Sequence, residues 1–335
     1  MAENKRPSDE FISLLRKSGD ADINVAAAAQ REFAKALELP LRKGVLVGNI
    51  LSNIFETINV EPGSTTEFPL DLVSPGLEGE HVAYTNPGHG RIPERSVEGD
   101  YVMIPTYSIA SSVDYLLRYA REARWDIVAR AMQVMEAGFT KKMNDDGWHT
   151  ILAAGVDRNI LVYDADATAG LFSKRLVSLM QTVMRRNSGG NSASVGRGRL
   201  TDIYLSPEAL EDIRNWGFDQ VDDLTRREIY NAPVNGGPVT NVFGVSLHDL
   251  DELGEGQQYQ SFFLNDLGGA VQGSDLELVV GLDQSTSDSF VMPVKEALQV
   301  FEDPTLHRQQ RAGYYGFAEL GFGVLDNRRV ILGSF

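Results

Sequence analysis

The chain has 335 residues, of which 42% are hydrophobic and 9% aromatic, enough to bury a full core and to divide into two lobes. It contains no cysteine, which excludes disulfide scaffolds, thiolate catalysis and Cys-ligated metal sites and fits a reducing compartment. A net charge of −16 argues against an extended nucleic-acid-binding face, and no window approaches the ~20 apolar residues of a membrane span, so a soluble protein made in the cytoplasm is expected.

The charge is unevenly placed. Residues 1–58 carry eight acids and eight bases and residues 300–335 four of each, whereas residues 200–299 hold 18 acids against four bases. One region carries nearly all the acidity, as a separate lobe with a solvated, repulsive surface would.

In chain order, residues 1–24 are polar and weakly patterned. Asn24 is placed to cap a helix through "VAAAAQREFAKALELP" that Pro40 ends, which predicts an N-terminal arm with one short helix. From "KGVLVGNILSNIFETINVEPGSTTEFPLDL" the pattern turns strand-like. "GEHVAYT" and "DYVMIPTY" then read as strands flanking the tip "NPGHGRIPERSVEG", a long protruding hairpin. After a cap at Ser111 or Ser112, apolar residues recur at Trp125, Val128, Met132, Met135, Phe139 and Met143, the spacing of a long helix with one buried face.

Further on, "NILVYDA" reads as a strand, "AGLFSKRLVSLMQTVMRR" as an amphipathic helix and "NSGGNSASVGRGR" as a loop. In "TDIYLSPEALEDIRNW" a strand leads into a helix capped by Ser206, with Pro207 at its first position and Glu208 in its first turn. Short strands at "VFGVSLHDL", "SFFLNDL" and "LELVVGL" and a helix at "PVKEALQVFED" complete the acidic region. "GYYGFAELGFGVLDNRRVILGSF" reads as a terminal hairpin turning at Asp326-Asn327. The order is α+β, without the strict alternation of a doubly wound sheet.

Catalytic motifs are absent. "GRGRLT" lacks the preceding strand and third glycine of a dinucleotide loop, and no P-loop, G-x-S-x-G or H-E-x-x-H occurs. "DLDELGE" begins like a calcium loop, but Leu253 and Gln260 stand where two oxygen ligands are needed, so it reads as a solvated acidic turn. His81, His89, His149, His248 and His307 share no metal-ligand spacing and are read as structural or surface residues. Met132 and Met135 read as core, and Arg328 and Arg329 as flanking the terminal turn, facing solvent or a neighbouring subunit.

Three stretches carry a resemblance: "ARWDIVARAMQVMEAGFTKKMNDDGWHTILAAG", "TDIYLSPEALEDI" and "GYYGFAELGFGVLDNRRVILG". In this order of elements the chain resembles the major capsid proteins of tailed bacteriophages, whose HK-ninety-seven-type fold encapsulin shells share. The resemblance implies an N-arm at 1–58, an extended loop at about 59–110 and a peripheral domain at 111–200 with a spine helix at about 124–153. It further implies an axial domain at 201–300 and a return to the peripheral domain at 301–335. It implies a structural protein of the virion, not an enzyme, assembled in the host cytoplasm into hexamers and pentamers around double-stranded DNA, with no cofactor, metal or membrane.

Partners implied are other copies, a scaffolding protein, a portal and a decoration protein. The candidate inter-subunit contacts are Arg91, Glu94, Arg95, Arg328 and Arg329. Some family members weld subunits through a loop lysine and a neighbour's asparagine, but no lysine occurs here between Lys43 and Lys141, so non-covalent stabilisation is expected. The absence of a long helical N-terminal extension points to a separate scaffolding protein. The rival readings are an encapsulin-type compartment shell and a soluble enzyme with a carboxylate site in 201–300.

Overall fold

A computed structural model describes residues 9–20, 22–48, 50–69, 101–166, 170–186, 198–216, 240–271, 277–285 and 289–335. Its elements in chain order are α1 (Asp9–Ser18), α2 (Ile23–Gly48), β1 (Glu56–Asn59), β2 (Glu67–Pro69), β3 (Tyr101–Met103), β4 (Tyr107–Leu116), α3 (Leu117–Arg121), α4 (Trp125–Asp157), β5 (Leu161–Tyr163), α5 (Lys174–Arg186), β6 (Asp202–Leu205), α6 (Pro207–Arg214), β7 (Thr240–Val242), β8 (Val245–Asp249), β9 (Leu278–Leu282), β10 (Phe290–Glu302), β11 (Arg311–Leu320), β12 (Gly323–Val324) and β13 (Val330–Ser334). Two units form: Met1–Thr66, Ile104–Gly147 and Met292–Phe322 make the first, and Glu67–Met103, Trp148–Val291 and Gly323–Phe335 the second. The architecture is α+β, as expected. Among the described residues no helix is long and apolar enough to cross a membrane.

In the first unit the N-terminal arm is more helical than its sequence implied. Two helices form, and the second runs 26 residues straight through Pro40. Phe33, Ala34, Leu37, Leu41 and Val45 keep one buried stripe across the proline, while Pro40 lies on the exposed face, where the carbonyl it leaves unpaired meets water. Packing therefore overrides the break. The start also differs: Asp22 caps the helix by accepting from the Asn24 N–H at 2.9 Å, so Asn24 itself lies inside. Residues 44–48, read as strand-like, complete α2.

Helix α4 has 33 residues, about 50 Å at 1.5 Å per residue. Within the first unit it buries Val128, Met132, Met135, Phe139 and Met143, the stripe read from the sequence. Ser111 and Ser112 do not cap it; both lie in β4. At its N-terminal end Trp125 meets Phe11 edge-on at 5.0 Å, and Phe33 packs on Tyr314 at 5.6 Å, so rings from α1, α2, α4 and β11 share one cluster.

The first unit's sheet has the order β1-β10-β11-β4. β10 corrects the sequence reading, because "PVKEALQVFED" is strand: Lys, Glu, Ala, Leu and Gln favour helix individually, but pairing with β11 from Val294↔Leu320 to Glu302↔Tyr314 decides the conformation. Along β11 the side chains of Ala312, Tyr314, Ala318 and Leu320 are buried and those of Tyr315, Phe317 and Glu319 point outward. Gly316 lies on the buried side, where a Cβ would stand 2.5 Å from Met135 Cε and the end of that side chain would have to move. This strand therefore approaches α4 closely.

The second unit is built on a six-stranded sheet of order β5-β13-β9-β6-β8-β7. β6 runs parallel to β8, and β9 runs antiparallel to both β6 and β13. β9, read as a short strand, is buried at every position of its "LVVGL" run. α5 and α6 supply Leu176, Val177, Met180, Leu210 and Ile213 to the core beneath it. Ser206 caps α6 as predicted, its Oγ accepting from the Ala209 N–H at 3.2 Å, with Pro207 in the first turn.

Two expectations fail in this unit. "SFFLNDL" is a helical turn followed by a π turn, Phe262–Asp266: Tyr259 and Phe263 are buried four residues apart, a helical spacing that a short apolar run conceals. The terminal stretch is not a hairpin, because β11 pairs with β10 and β4 while β13 pairs with β9 and β5, in a different sheet. The expected partner strand "GEHVAYT" and the whole hairpin tip lie outside the described residues; Tyr101–Met103 pairs instead with Glu67–Pro69.

Candidate assembly surfaces

Of the five residues predicted to face a neighbour, Arg91, Glu94 and Arg95 lie outside the described residues. Arg328 and Arg329 are described, and the expectation that they face solvent is corrected. Their exposures are 7% and 2%. Asp326 takes Arg328 in a two-point grip, Nε to Oδ1 at 2.7 Å and Nη2 to Oδ2 at 2.9 Å, and accepts the Arg328 backbone N–H at 3.1 Å. Arg158 adds a third guanidinium, donating to the Arg328 carbonyl at 3.0 Å, and burial pushes its pKa down. The "DNRR" turn is thus an internal clamp holding the end of α4 to the start of β13.

Within the acidic region Glu277 is a half-buried carboxyl in a perturbed environment. Its pKa is raised, chiefly by burial and then by the charges of Glu208, Asp212 and Glu255, while a hydrogen bond donated by Ser206 Oγ opposes the shift. The Ser206 hydroxyl is committed at both ends, to Ala209 N–H and to Glu277, so the pair orders the start of α6 and presents no free nucleophile.

A carboxyl raised in the folded state contributes stability that is complete below its ordinary pKa and is lost as pH rises through the raised value. Glu277→Gln, which keeps the acceptor for Ser206, is therefore expected to melt above wild type at pH 7 and to match it near about pH 4, where both side chains are neutral. Melting curves at the two pH values check this, and an equal difference at both would refute it.

Other chemistry-bearing residues are similarly engaged. His248 pairs with Asp202 at 2.8 Å across β6 and β8 and stacks on the Tyr204 ring at 4.9 Å. His149 stacks on Phe262 at 3.8 Å. Leu250 and Leu253 of the acidic turn are buried, and among the described residues no group of three His, Asp or Glu side chains is placed to hold a metal.

The second unit has a cleft of about 500 Å³ lined by Asp164, Asp166, Arg175, Asp212 and Trp216. Its charges are spent internally: Arg175 pairs with Asp166 and Asp164, Ser173 donates to Asp164 at 2.8 Å, and Asp212 accepts the Phe172 N–H at 2.9 Å. These contacts tie Phe172 and Ser173, just before α5, to α6 and to Asp164.

Several large apolar side chains stand exposed. On the outer face of the first sheet Phe301 stacks on Phe317 at 5.4 Å and on Tyr315 at 5.7 Å, with Phe301 38% and Tyr315 41% exposed. In the second unit the β7–β8 hairpin turns on Phe243 and Gly244, both at positive φ (53° and 77°), with the Phe243 ring 59% exposed. Two positive φ values at a two-residue turn match a type I′ geometry, in which a phenylalanine is unusual. The period-2 pattern of "GYYGFAEL" marks Tyr315 and Phe317 as outward. Their partner Phe301 was hidden by the helical reading of β10.

No protein-family model matches the chain, and no curated protein matches it by sequence. Solved structures do match in fold. The capsid of an empty GTA particle is 13% identical, with a TM-score of 0.55 over 86% of this chain and 90% of that one. The acid-stable capsid of Helicobacter pylori bacteriophage KHP30 is 8% identical, with a TM-score of 0.54 over 86% and 91%. The capsid of Myoviridae phage XM1 is 12% identical, with a TM-score of 0.52 over 85% and 90%. The chain has the α+β, HK-ninety-seven-type capsid fold.

Proposed function

We propose that the chain is the major capsid protein of a tailed bacteriophage, a structural subunit without catalytic activity. Copies close into hexamers and pentamers and form an icosahedral shell around double-stranded DNA. The observation that carries the reading is likeness of fold over 85–86% of this chain to capsids that are themselves covered to 90–91%.

In this proposal residues 1–58 are the N-arm, 59–110 the loop that reaches a neighbour, 111–200 with 301–335 the peripheral domain, and 201–300 the axial domain. The 18 acids of residues 200–299 would keep the packaged polyanion from adhering. Heterologous contacts must close into rings of two sizes. A scaffolding protein sets that closure, with a portal at one vertex and a decoration protein as further partners. The protein would assemble in the host cytoplasm and reside in the virion, away from membranes.

The test is negative-stain microscopy and sedimentation of the protein, alone and co-expressed with its scaffold. Closed particles are expected; a monomer or small oligomer under every condition would sink the reading. Particles boiled in SDS should run as monomer, because the loop has no lysine, whereas a ladder of covalent multimers would overturn the non-covalent assignment.

A further inference from the structure

The acidic chain has one segment of the opposite sign. Residues 167–201 are its longest stretch without an acid, 35 residues that hold six bases, Lys174, Arg175, Arg185, Arg186, Arg197 and Arg199. At the chain's average of 47 acids in 335 residues, a stretch of that length would carry about five.

Helix α5 gathers this charge on one side. Leu176, Val177, Met180 and Met184 face the core of the second unit, and the exposed positions Lys174, Arg175, Ser178, Thr182, Arg185 and Arg186 fall on the opposite arc of the helix. Arg199, on the segment leading into β6, is exposed as well, and its neighbour Leu200 shares the core with Met180 and Met184. The helix dipole accounts for Arg185 and Arg186 in the last turn of α5, but it disfavours Lys174 and Arg175 in the first, and α5 contains no acid to balance them. Helix stability therefore does not explain a face that is basic at both ends. Asp164 and Asp166 answer Arg175, so the excess positive charge lies toward the C-terminal end.

The chemistry of the face selects a phosphate polyanion. Arginine presents planar, two-point donors that match phosphate oxygens, and three of the four cations of the arc are arginine. A protein partner would need an apolar anchor at the centre of the contact, and none of the exposed residues of α5 is apolar. The small Ser178 and Thr182 instead leave the centre low between cationic ends that stand roughly 18 Å apart along the helix. We infer that the outer face of α5 is where each copy meets the phosphate backbone of the packaged double-stranded DNA. The inference rests on the shell reading for the source of that polyanion. The acids of residues 200–299 repel the same DNA, so it is held at one patch of each copy and kept off the rest.

The test titrates the unassembled full chain against a fluorescein-labelled duplex of about 30 base pairs at about 50 and 200 mM salt. Wild type should bind with a log–log salt slope of about −2 to −4. Arg185→Gln/Arg186→Gln should bind at least tenfold more weakly at the lower salt, with a slope shallower by about 2. Arg16→Gln/Lys17→Gln, an exposed basic pair at the end of α1, is the control and should bind as wild type does. No binding by wild type at the lower salt, or equal binding by the α5 variant, would overturn the inference. Poly-glutamate held as tightly as the duplex at equal charge would also overturn it and assign the face to an acidic protein. A second arm stays decisive if the variant fails to fold: p-benzoylphenylalanine replacing Ser178 is photolysed in DNA-filled particles, where crosslinked DNA supports the contact and crosslinks to protein alone, or none, overturn it. Duplex binding by a chain that never forms particles would sink the shell reading and leave the basic face standing.

Discussion

Asp326→Ala is expected to destabilise the second unit by about 3–5 kcal/mol, the range for breaking a buried ion pair by removing one partner. Asp326 is the carboxylate facing three guanidinium groups: Arg328 at 2.7 Å, Arg329 at 4.0 Å and Arg158, whose pKa it supports against burial. Removing it leaves positive charge in a site where Arg329 is 2% exposed. It also strips the acceptor from the Arg328 N–H at the start of the last turn. Urea titration in a Trp125→Phe background reads the effect, because emission then comes from Trp148 and Trp216, both in the second unit. Asp326→Asn, which keeps the shape and loses the charge, should retain most of the loss. A change below about 1 kcal/mol, the scale of exposed pairs, would mean that the clamp is solvated and that the sequence-based placement of these arginines at the surface was correct.

What the sequence concealed here was the sheet to which each strand belongs. The alternation of "GYYGFAELGFGVLDNRRVILG" is real, and the buried set Tyr314, Ala318 and Leu320 follows from it. Two alternating runs around "DNRR" look like a hairpin because local pattern carries no information about pairing partners. In the fold β11 and β13 diverge into different sheets, and the turn becomes interior. The same limit hid β10: its residues favour helix, and only pairing with β1 on one side and β11 on the other makes it extended.

Features set by local chemistry were legible. The Ser206-Pro207 cap, the short strand at β9 and the 3–4 spacing along α4 each depend on neighbours a few residues away. The α+β order was legible on the same grounds. The candidate surfaces were only half visible, since Tyr315 and Phe317 could be assigned outward by period, whereas Phe301, on β10, could not.

Asp283→Ala should cost the second unit about 1–3 kcal/mol, for a different reason: the side chain is an internal hydrogen-bond hub, and its loss leaves the buried Gly198 N–H unsatisfied. Asp283 follows β9 and is completely buried. Its Oδ2 accepts the N–H groups of Gly198 and Arg199 at 2.9 and 3.2 Å, and its Oδ1 accepts that of Ser285 at 3.0 Å. Two separate chain segments are thereby fixed to the end of the sheet, one of them through Gly198 at a φ of 72°. An alanine removes the acceptor that all three donors share, and of the three residues only Gly198 is buried. Asp283→Asn is the discriminating control: one of its two oxygens becomes an NH₂ that opposes N–H donors, so most of the loss should remain, although size and shape are kept. Because the Asp283 N–H donates to the Arg329 carbonyl at 2.9 Å, this hub and the Asp326 clamp share one backbone turn. The double variant should therefore lose less than the two single losses combined, as coupled sites do. Strict additivity in the urea titrations would show two independent anchors, and an Asp283→Ala loss under about 1 kcal/mol would show that the donors find water.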